Sequence, residues 1–271
     1  MTPPPIILRS PKFDEHKIPV PVEISQLATG FNGTLSSPGL DDYPVTKNII
    51  QLIGSEYPKT TLAQDTNFIS LTAENYEDLW RKNSIKAISG TDFSMEDEQR
   101  LLCEWLNPQK GDRILDLGTS TALYPRILAK HNPETHIVAI DLSMPMLRKA
   151  REKSIEDGAN IYLVQTNAEN LPFFAGSFDS VTCGGSLNEF RDPVKAMYEA
   201  RRVLKKGGYL FMMYLMKADN FFGLALQKAS SIGGISFWSE EESTQLFERA
   251  GFSIEKEEKH GIVHFVLLKA E

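Results

Sequence analysis

An acidic residue, one glycine and a run of small residues stand together where a strand is expected to turn into a helix. The stretch 116–125 reads DLGTSTALYP and follows the apolar run 113–115. A helix N-terminus offers unpaired N–H groups and a partial positive charge, which attract a carboxylate or a phosphate. Asp116 would repel a pyrophosphate but could bind an ammonium group. The stretch therefore predicts a loop that binds a ligand with both a carboxylate and an ammonium group.

A second acidic residue, Asp141, ends the next apolar run, 23 residues beyond Gly118. At the carboxyl end of a strand, a carboxylate can accept hydrogen bonds from both hydroxyls of a ribose. Either acid alone could equally cap a helix, but the two together indicate a nucleoside-type cofactor. A dinucleotide is disfavoured because its fingerprint requires three glycines and this loop reads GTSTAL. A nucleoside that carries an amino acid fits better, and S-adenosylmethionine is such a molecule.

Alternating apolar and amphipathic segments place both acids in an α/β fold. Continuous apolar strands between amphipathic helices predict a Rossmann-like, doubly wound, mostly parallel sheet of seven strands with an antiparallel last strand. Ligands of such sheets bind at the carboxyl ends of the strands. Strands are expected at 113–118, 136–142, 161–167, 178–185, 209–215, 253–259 and 262–270, and helices at 122–131, 144–158, 192–204 and 239–252.

The first 70 residues differ from the rest in being rich in proline and turn residues. Short β-like pieces are expected there at 19–24, 33–37 and 43–54, which predicts a small β-rich N-terminal appendage. The main domain is expected to span 71–271. It should begin with two helices, at 72–88 and at 94–106, the second opened by a capping box of Ser94 and Asp97.

The composition disfavours several kinds of binding partner. The chain has 271 residues and a formal net charge of −7, which disfavours non-specific binding to nucleic acid or to a membrane surface. The longest aliphatic and aromatic run, 209–216, is too short to span a bilayer, so a cytoplasmic protein is expected. The two cysteines, Cys103 and Cys183, lack metal-ligand spacing, and no metal is expected. The oligomeric state is not indicated by the sequence.

Five stretches carry a resemblance to a known family. Residues 95–271 resemble a class I S-adenosylmethionine-dependent methyltransferase, close to the small-molecule enzymes of ubiquinone and menaquinone biosynthesis. The resemblance implies transfer of a methyl group to an oxygen or carbon of a small, apolar or aromatic molecule, leaving S-adenosylhomocysteine. The matching stretches are ILDLGTSTA, VAIDLSMPMLRKAREK, NAENLPFFAGSFDSV, SLNEFRDPVKAMYEARRVLKKGGYL and FWSEEESTQLFERAGF.

The resemblance also implies which residues hold the cofactor. The methionine part would lie against the first loop, the ribose at the second acid, the adenine beside the second helix and third strand, and the sulfonium above the end of the fourth strand. These positions are, in the same order, Asp116 with Gly118, Thr119 and Ser120; Asp141; Leu142, Met146, Asn167 and Ala168; and Ser186.

The glycine loop departs from the family pattern, which is acid-x-Gly-x-Gly-x-Gly. Ser120 and Ala122 replace the second and third glycines. A Cβ atom in the left-handed backbone region costs about 1–2 kcal/mol, so weakened or slightly reshaped binding is expected rather than none. A loop that persists only as a structural relic is the alternative.

Residues 188–190, NEF, stand where relatives often have a His-His-Phe stretch. Asn188 cannot act as a general base, whereas Glu189 could if burial raises its pKa. Glu189 and Asn188 are therefore the candidate catalytic residues. A solvated Glu189 without a catalytic role is the alternative, because methyl transfer requires mainly alignment of the reacting groups.

Two aromatic groups are candidates for the methyl-acceptor pocket. Tyr76 and Trp80 lie one helical turn apart before the core, and Phe221, Phe222 and Trp238 lie in the insert 216–238. The insert is expected to form an apolar lid with a flexible point at Gly233 and Gly234. Ordinary helix packing explains the same residues equally well.

The run 43–54, YPVTKNIIQLIG, is similar to the pattern Y-P-V-x-x-G-I-P-x-L. That pattern forms the C-terminal end of zinc-ribbon segments that precede some methyltransferases. Those segments bind zinc through four cysteines, and this one has none. The appendage would then be a metal-free remnant.

Two functions from other classes compete with the enzyme. One is a non-catalytic binding or partner protein that keeps the methyltransferase fold with an altered glycine loop. The other, supported by fewer residues, is an NAD-dependent oxidoreductase.

Overall fold

A computed structural model of the chain describes residues 6–9, 17–36, 42–53, 60–66 and 93–271. Its strands are β1 (Ile7–Arg9), β2 (Lys17–Pro19), β3 (Gly33–Leu35), β4 (Tyr43–Thr46), β5 (Ile49–Gln51), β6 (Arg113–Leu117), β7 (His136–Asp141), β8 (Ile161–Gln165), β9 (Phe178–Gly184), β10 (Leu204–Leu215), β11 (Phe252–His260) and β12 (Val263–Ala270). Its helices are α1 (Leu62–Thr66), α2 (Met95–Leu106), α3 (Leu123–His131), α4 (Met144–Glu156), α5 (Pro193–Val203), α6 (Phe221–Ile232) and α7 (Glu240–Arg249).

The predicted α/β fold class is confirmed. Strands β6 to β12 are arranged in the order β11-β12-β10-β9-β6-β7-β8, and the five strands from β10 to β8 in that order are parallel. Strand β12 runs antiparallel to both of its neighbours, β10 and β11. The chain winds outward from β6 in one direction and from β9 in the other. A crevice is therefore expected between the carboxyl ends of these two strands.

The sheet has ten strands rather than the predicted seven. Strands β5, β4 and β3 extend it beyond β8, and β5 pairs in parallel with β8. The unpaired N–H and C=O groups along an edge strand favour this addition. A strand of three residues, such as Ile49–Gln51, is too short to show a period in the sequence.

Strands β1 and β2 form a separate antiparallel pair. The stretch 19–24, expected to be β-like, is a strand only up to Pro19 and continues as a 3₁₀ turn at Val22–Ile24. The hydroxyl of Ser25 donates to the Val22 carbonyl at 2.8 Å, which favours the turn over an extended strand.

Some predictions lie outside the described residues. These are the helix expected at 72–88 and the boundary between appendage and main domain near residue 70. The capping box of Ser94 and Asp97 is present at the start of α2, and α7 begins with a second one. In the part of the chain that is described, no helix is long and apolar enough to cross a bilayer.

Buried apolar side chains cover both faces of the sheet. Side chains alternate between the faces along β7, where Val138 and Ile140 join one cluster and Ile137 and Ala139 the other. The first cluster also contains Leu8, Ile18 and Ile24 of the N-terminal segment. Burial of one such side chain stabilises the fold by roughly 1.5–3 kcal/mol. The appendage is therefore packed into the core of the main sheet.

A buried polar network joins β10, β12 and α7. The hydroxyl of Tyr214 donates to Ser243 Oγ at 2.9 Å and lies 2.7 Å from His264 Nδ1. His264 Nε2 lies 3.1 Å from Glu257 Oε2. Burial lowers the pKa of His264, which favours its neutral form. The network fixes the carboxyl end of β10 against α7.

Tyr214→Phe is expected to lower the free energy of unfolding by about 1–3 kcal/mol, because it leaves buried polar atoms of Ser243 and His264 with fewer partners. Urea unfolding measures this change. Tyr198→Phe is the matched control, since Tyr198 is exposed on α5. Equal stability of the two variants would contradict a stabilising role of the Tyr214 hydroxyl.

Candidate functional site

Asp116 lies near the end of β6, at the point where the strand order reverses. It is buried, and Thr182 of β9 donates its hydroxyl to Asp116 Oδ1 at 2.5 Å. The carboxylate is thus oriented by the neighbouring strand. It lines a small cavity with Gly118, Thr119, Ser120, Thr121, Leu123, Tyr124 and Gly184.

The loop after β6 has left-handed backbone at three alternate residues. Gly118 has φ 61°, Ser120 has φ 49° and Ala122 has φ 60°. Thr119 N–H donates to the Ile140 carbonyl at 2.8 Å, and Ala122 N–H donates to the Thr119 carbonyl at 2.8 Å. Ser120 and Ala122 therefore adopt the conformation that glycine usually supplies, at about 1–2 kcal/mol each.

Asp141 holds the loop in this shape. Its Oδ2 accepts the Ser120 N–H at 2.7 Å, and its Oδ1 accepts the Ser143 N–H at 2.8 Å. A carboxylate has four lone pairs, and three of those of Asp141 accept backbone N–H groups, so the side chain can accept a further hydrogen bond from a ribose hydroxyl. The same side chain can bind the loop and a nucleoside together.

The environment of Asp141 also sets its charge. Burial raises the pKa of Asp141 to about 6, although hydrogen bonds from backbone N–H groups oppose the rise. Asp141 is therefore mostly ionised at neutral pH and becomes protonated as the pH falls through about 6.

The loop packs closely against the turn that follows β9. Ser186 donates its hydroxyl to the Gly118 carbonyl at 3.0 Å. A Cβ atom on Gly118 would lie 2.3 Å from Ser186 Oγ, so only glycine fits there. The predicted residues at the ends of the first and fourth strands are brought into contact.

The residues predicted for the adenine lie between β7 and α4, on α4 and after β8. Met146 is buried, and the Ser120 hydroxyl donates to its sulfur at 3.5 Å. Gln165 Nε2 donates to the Leu142 carbonyl at 3.0 Å, and Ala168 is buried. Asn167 Oδ1 accepts the Glu169 N–H at 2.9 Å and so caps its own turn. One lone pair of that oxygen remains for another donor.

Both ends of the Asn188 side-chain amide form hydrogen bonds with backbone groups. It is buried, its Nδ2 donates to the carbonyls of Leu215 and Ser236 at 2.9 and 2.6 Å, and its Oδ1 accepts the Leu215 N–H at 2.8 Å. These bonds connect the turn after β9 to β10 and to the insert, which favours a positioning role. Glu189 follows it and is half-buried. Catalytic roles for Asn188 and Glu189 stay predictions.

The insert 216–238 contains a helix, α6, anchored at its base. Gln227 accepts the Ala218 N–H at 2.8 Å and donates to the Met216 carbonyl at 2.9 Å. Trp238 lies at the end of the insert, bridged to Met216 and packed against the core. The side chains of Phe221 and Phe222, and all of Tyr76 and Trp80, lie outside the described residues. The acceptor pocket therefore stays a prediction.

Sequence reasoning missed Tyr124 and Glu98. Tyr124 lines the loop cavity and donates its hydroxyl to Glu98 Oε1 at 2.5 Å, with both residues buried. Tyr124 belongs to the stretch DLGTSTALYP, but nothing in the sequence pairs it with Glu98 of α2.

The polar groups around the loop after β6 fit a nucleoside that carries an amino acid. A carboxylate lies on each side of the loop, Asp116 on β6 and Asp141 at the end of β7, and the buried Thr119 hydroxyl has no hydrogen-bond partner among the described residues. The enclosed space is small, ≈ 10 Å³, so a ligand must lie in the open part of the crevice or displace side chains.

A larger cavity of ≈ 330 Å³ lies at the opposite ends of the strands, beside Arg113 and Phe178. Within the described residues, no three potential ligands cluster for a metal ion.

Residues 115–212 match the family model described as a methyltransferase domain, and they run from β6 into β10. This part of the chain is therefore similar to methyltransferase domains, and the curated relatives that it matches include enzymes named for menaquinone synthesis. Both acids of the site, Asp116 and Asp141, lie inside the matched residues.

Curated relatives cover the same region. A demethylmenaquinone methyltransferase of Listeria monocytogenes is 41% identical over 104 residues, which are 38% of this chain and 44% of that protein. The protein of that name from Thermotoga maritima is 37% identical over 111 residues, which are 41% of this chain and 45% of that protein. The chain thus spans less than half the length of these curated relatives.

Solved structures share the fold over a longer range. An S-adenosylmethionine-dependent methyltransferase from Aquifex aeolicus has a TM-score of 0.56 at 20% identity, covering 74% of this chain and 98% of that chain. A cyclase named SpnF has a TM-score of 0.59 at 16% identity, covering 80% of this chain and 99% of that chain. Similarity at this level concerns the fold alone.

Ser120→Gly is expected to stay within about 1 kcal/mol of the original chain in the free energy of unfolding, because relief of strain is offset by the freedom of glycine when unfolded. Ser120→Val is expected to lose about 2 kcal/mol or more, since a β-branched residue resists positive φ. Chemical denaturation measures both. Equal free energies of unfolding for the valine and glycine variants would contradict a left-handed conformation at residue 120.

Proposed function

We propose that the chain transfers the methyl group of S-adenosylmethionine to an oxygen or carbon of a small, apolar or aromatic molecule, with S-adenosylhomocysteine as the product. The observation that carries this proposal is the loop after β6. Ser120 and Ala122 keep positive φ in the absence of glycine, and the Ser120 N–H is bound to Asp141. A strained backbone is retained where the surrounding structure holds it in place, and such strain clusters at ligand sites.

Different residues of the crevice would bind different parts of the cofactor. Asp116 and the loop Gly118–Ser120 would hold the amino-acid part, and Asp141 would accept the ribose hydroxyls. The adenine would lie against Leu142, Met146 and Ala168. When bound, the cofactor would supply an electrophilic methyl group, and Ser186 at the end of β9 would lie against that part of it.

The acceptor class follows from the relatives and from the insert. Two relatives bear the name demethylmenaquinone methyltransferase, which describes an apolar ring compound as their substrate. The insert here is rich in apolar residues, and Trp238 lies at its end. An aromatic acceptor bound between the insert and the crevice is consistent with both. The acidic net charge of −7 supports a small molecule rather than a nucleic acid.

A non-catalytic binding protein is the second candidate. Two observations favour it: the loop encloses only ≈ 10 Å³, and Asn188 donates both Nδ2 hydrogens to backbone carbonyls. The fold by itself does not determine the chemistry, because a cyclase shares it.

Titration calorimetry with S-adenosylhomocysteine tests the proposal. We expect binding in the micromolar range to the full chain and an affinity at least about tenfold weaker for Asp141→Asn, which loses a charged acceptor of the ribose hydroxyls. Glu152→Gln is the matched control, since Glu152 pairs with Lys149 on the exposed face of α4. No heat of binding at millimolar ligand would contradict the proposal, and binding without methyl transfer to any quinol or phenol acceptor would favour the second candidate.

The affinity is also expected to depend on pH. Because the pKa of Asp141 is raised to about 6, the ionised form that accepts ribose hydroxyls is present above that pH and is lost below it. The dissociation constant should therefore be about tenfold larger at pH 5 than at pH 7. Calorimetry at several pH values measures this, and Asp141→Asn should bind with an affinity that does not change over the same range. A constant affinity of the original chain would contradict the role of Asp141.

A further inference from the structure

The segment 166–170 carries the predicted adenine contacts Asn167 and Ala168, and it is held at both ends by the N-terminal appendage. At its start, β5 pairs in parallel with β8, and the Leu52 N–H donates to the Gln165 carbonyl at 3.0 Å. At its end, the Arg9 N–H donates to the Pro172 carbonyl at 2.7 Å, and Leu8 bridges to Phe173. The two attachments come from different strands of the appendage, β5 and β1.

These contacts continue into the ribose site. The Gln165 side chain, itself buried, donates to the Leu142 carbonyl at 3.0 Å. The Thr166 N–H donates to the Asp141 carbonyl at 3.1 Å. Arg151 of α4 donates to the Leu27 carbonyl of the appendage at 2.7 Å. The appendage is thus connected to β7, β8 and α4, the three elements that surround the nucleoside part of the crevice.

One buried side chain organises the appendage. Asn48 is fully buried and has φ 64°, and it stands at the glycine of the Y-P-V-x-x-G pattern. Its Nδ2 lies within 3.0–3.3 Å of the carbonyls of Glu23, Ile24 and Gln26 and of Thr29 Oγ1. Its Oδ1 accepts the Phe31 N–H at 2.9 Å. Asparagine is among the few residues that tolerate this backbone conformation while bonding to neighbouring backbone.

We infer that the N-terminal appendage is a positioning element for the nucleoside half of the cofactor, organised by Asn48 and acting through Leu52, Gln165 and Arg9. This inference rests on the proposed function for its ligand. Loosening the appendage should free the segment 166–170 and weaken nucleoside binding without a change in the acceptor site.

Hydrogen exchange and calorimetry on the full chain test the inference with Asn48→Ala. We expect faster amide exchange at 161–168 and 139–142, no change at 263–270, and a dissociation constant for S-adenosylhomocysteine about fivefold to tenfold larger. Asn132→Ala is the matched control, because Asn132 also bonds to backbone through its side chain but lies at the opposite ends of the strands. It should lower the melting temperature without either effect.

Arg9→Ala is the milder second variant, in case Asn48→Ala does not fold. It removes the bond from Arg9 Nη2 to the Leu171 carbonyl, and faster exchange is expected at 166–174. Exchange that rises only within 17–53, with an affinity within about twofold of the original chain, would overturn the inference. The exchange measurement needs no ligand, so it decides the structural connection even if the original chain does not bind the cofactor.

Discussion

The hydrogen bond from the Ser120 N–H to Asp141 Oδ2, 2.7 Å long, is the contact on which the rest of the site depends. It joins the ends of two neighbouring strands and holds Ser120 in a conformation that a serine does not favour. The bond also keeps the Asp141 carboxylate at the crevice, where burial raises its pKa to about 6. The loop shape, the charge of Asp141 and the proposed recognition of a ribose therefore depend on one contact.

The fold class and the placement of Asp116 and Asp141 at the carboxyl ends of neighbouring strands follow from the sequence because their signals are local. The end of an apolar strand places Asp116 and Asp141 at one edge of the sheet, and the short loop after each strand fixes what comes next. The conformation of Ser120 and Ala122 does not follow in the same way. Their types predict resistance to positive φ. Only the surrounding hydrogen bonds show that the loop overcomes it: the Ser120 N–H donates to Asp141, the Ala122 N–H to the Thr119 carbonyl and the Thr119 N–H to the Ile140 carbonyl.

Long-range pairing explains what the sequence does not predict. Strand β5 joins β8 across more than 100 residues, and its three residues have no detectable period. The partners of Asn188 and Gln165 are backbone groups far along the chain, which no spacing rule identifies. Side-chain amides that bond to distant backbone are determined by tertiary packing, and the same holds for the pair of Tyr124 and Glu98. The site thus combines a predictable strand-end geometry with supports that become visible only in three dimensions.

A crystal structure of the full chain with S-adenosylhomocysteine would show directly whether Asp141 and the loop after β6 bind this ligand. We expect the ribose hydroxyls to donate to Asp141, the amino-acid part to lie along residues 118–120, and Ser120 and Ala122 to retain positive φ. A ligand bound elsewhere, for example in the cavity beside Arg113 and Phe178, or a loop with negative φ at Ser120, would contradict it.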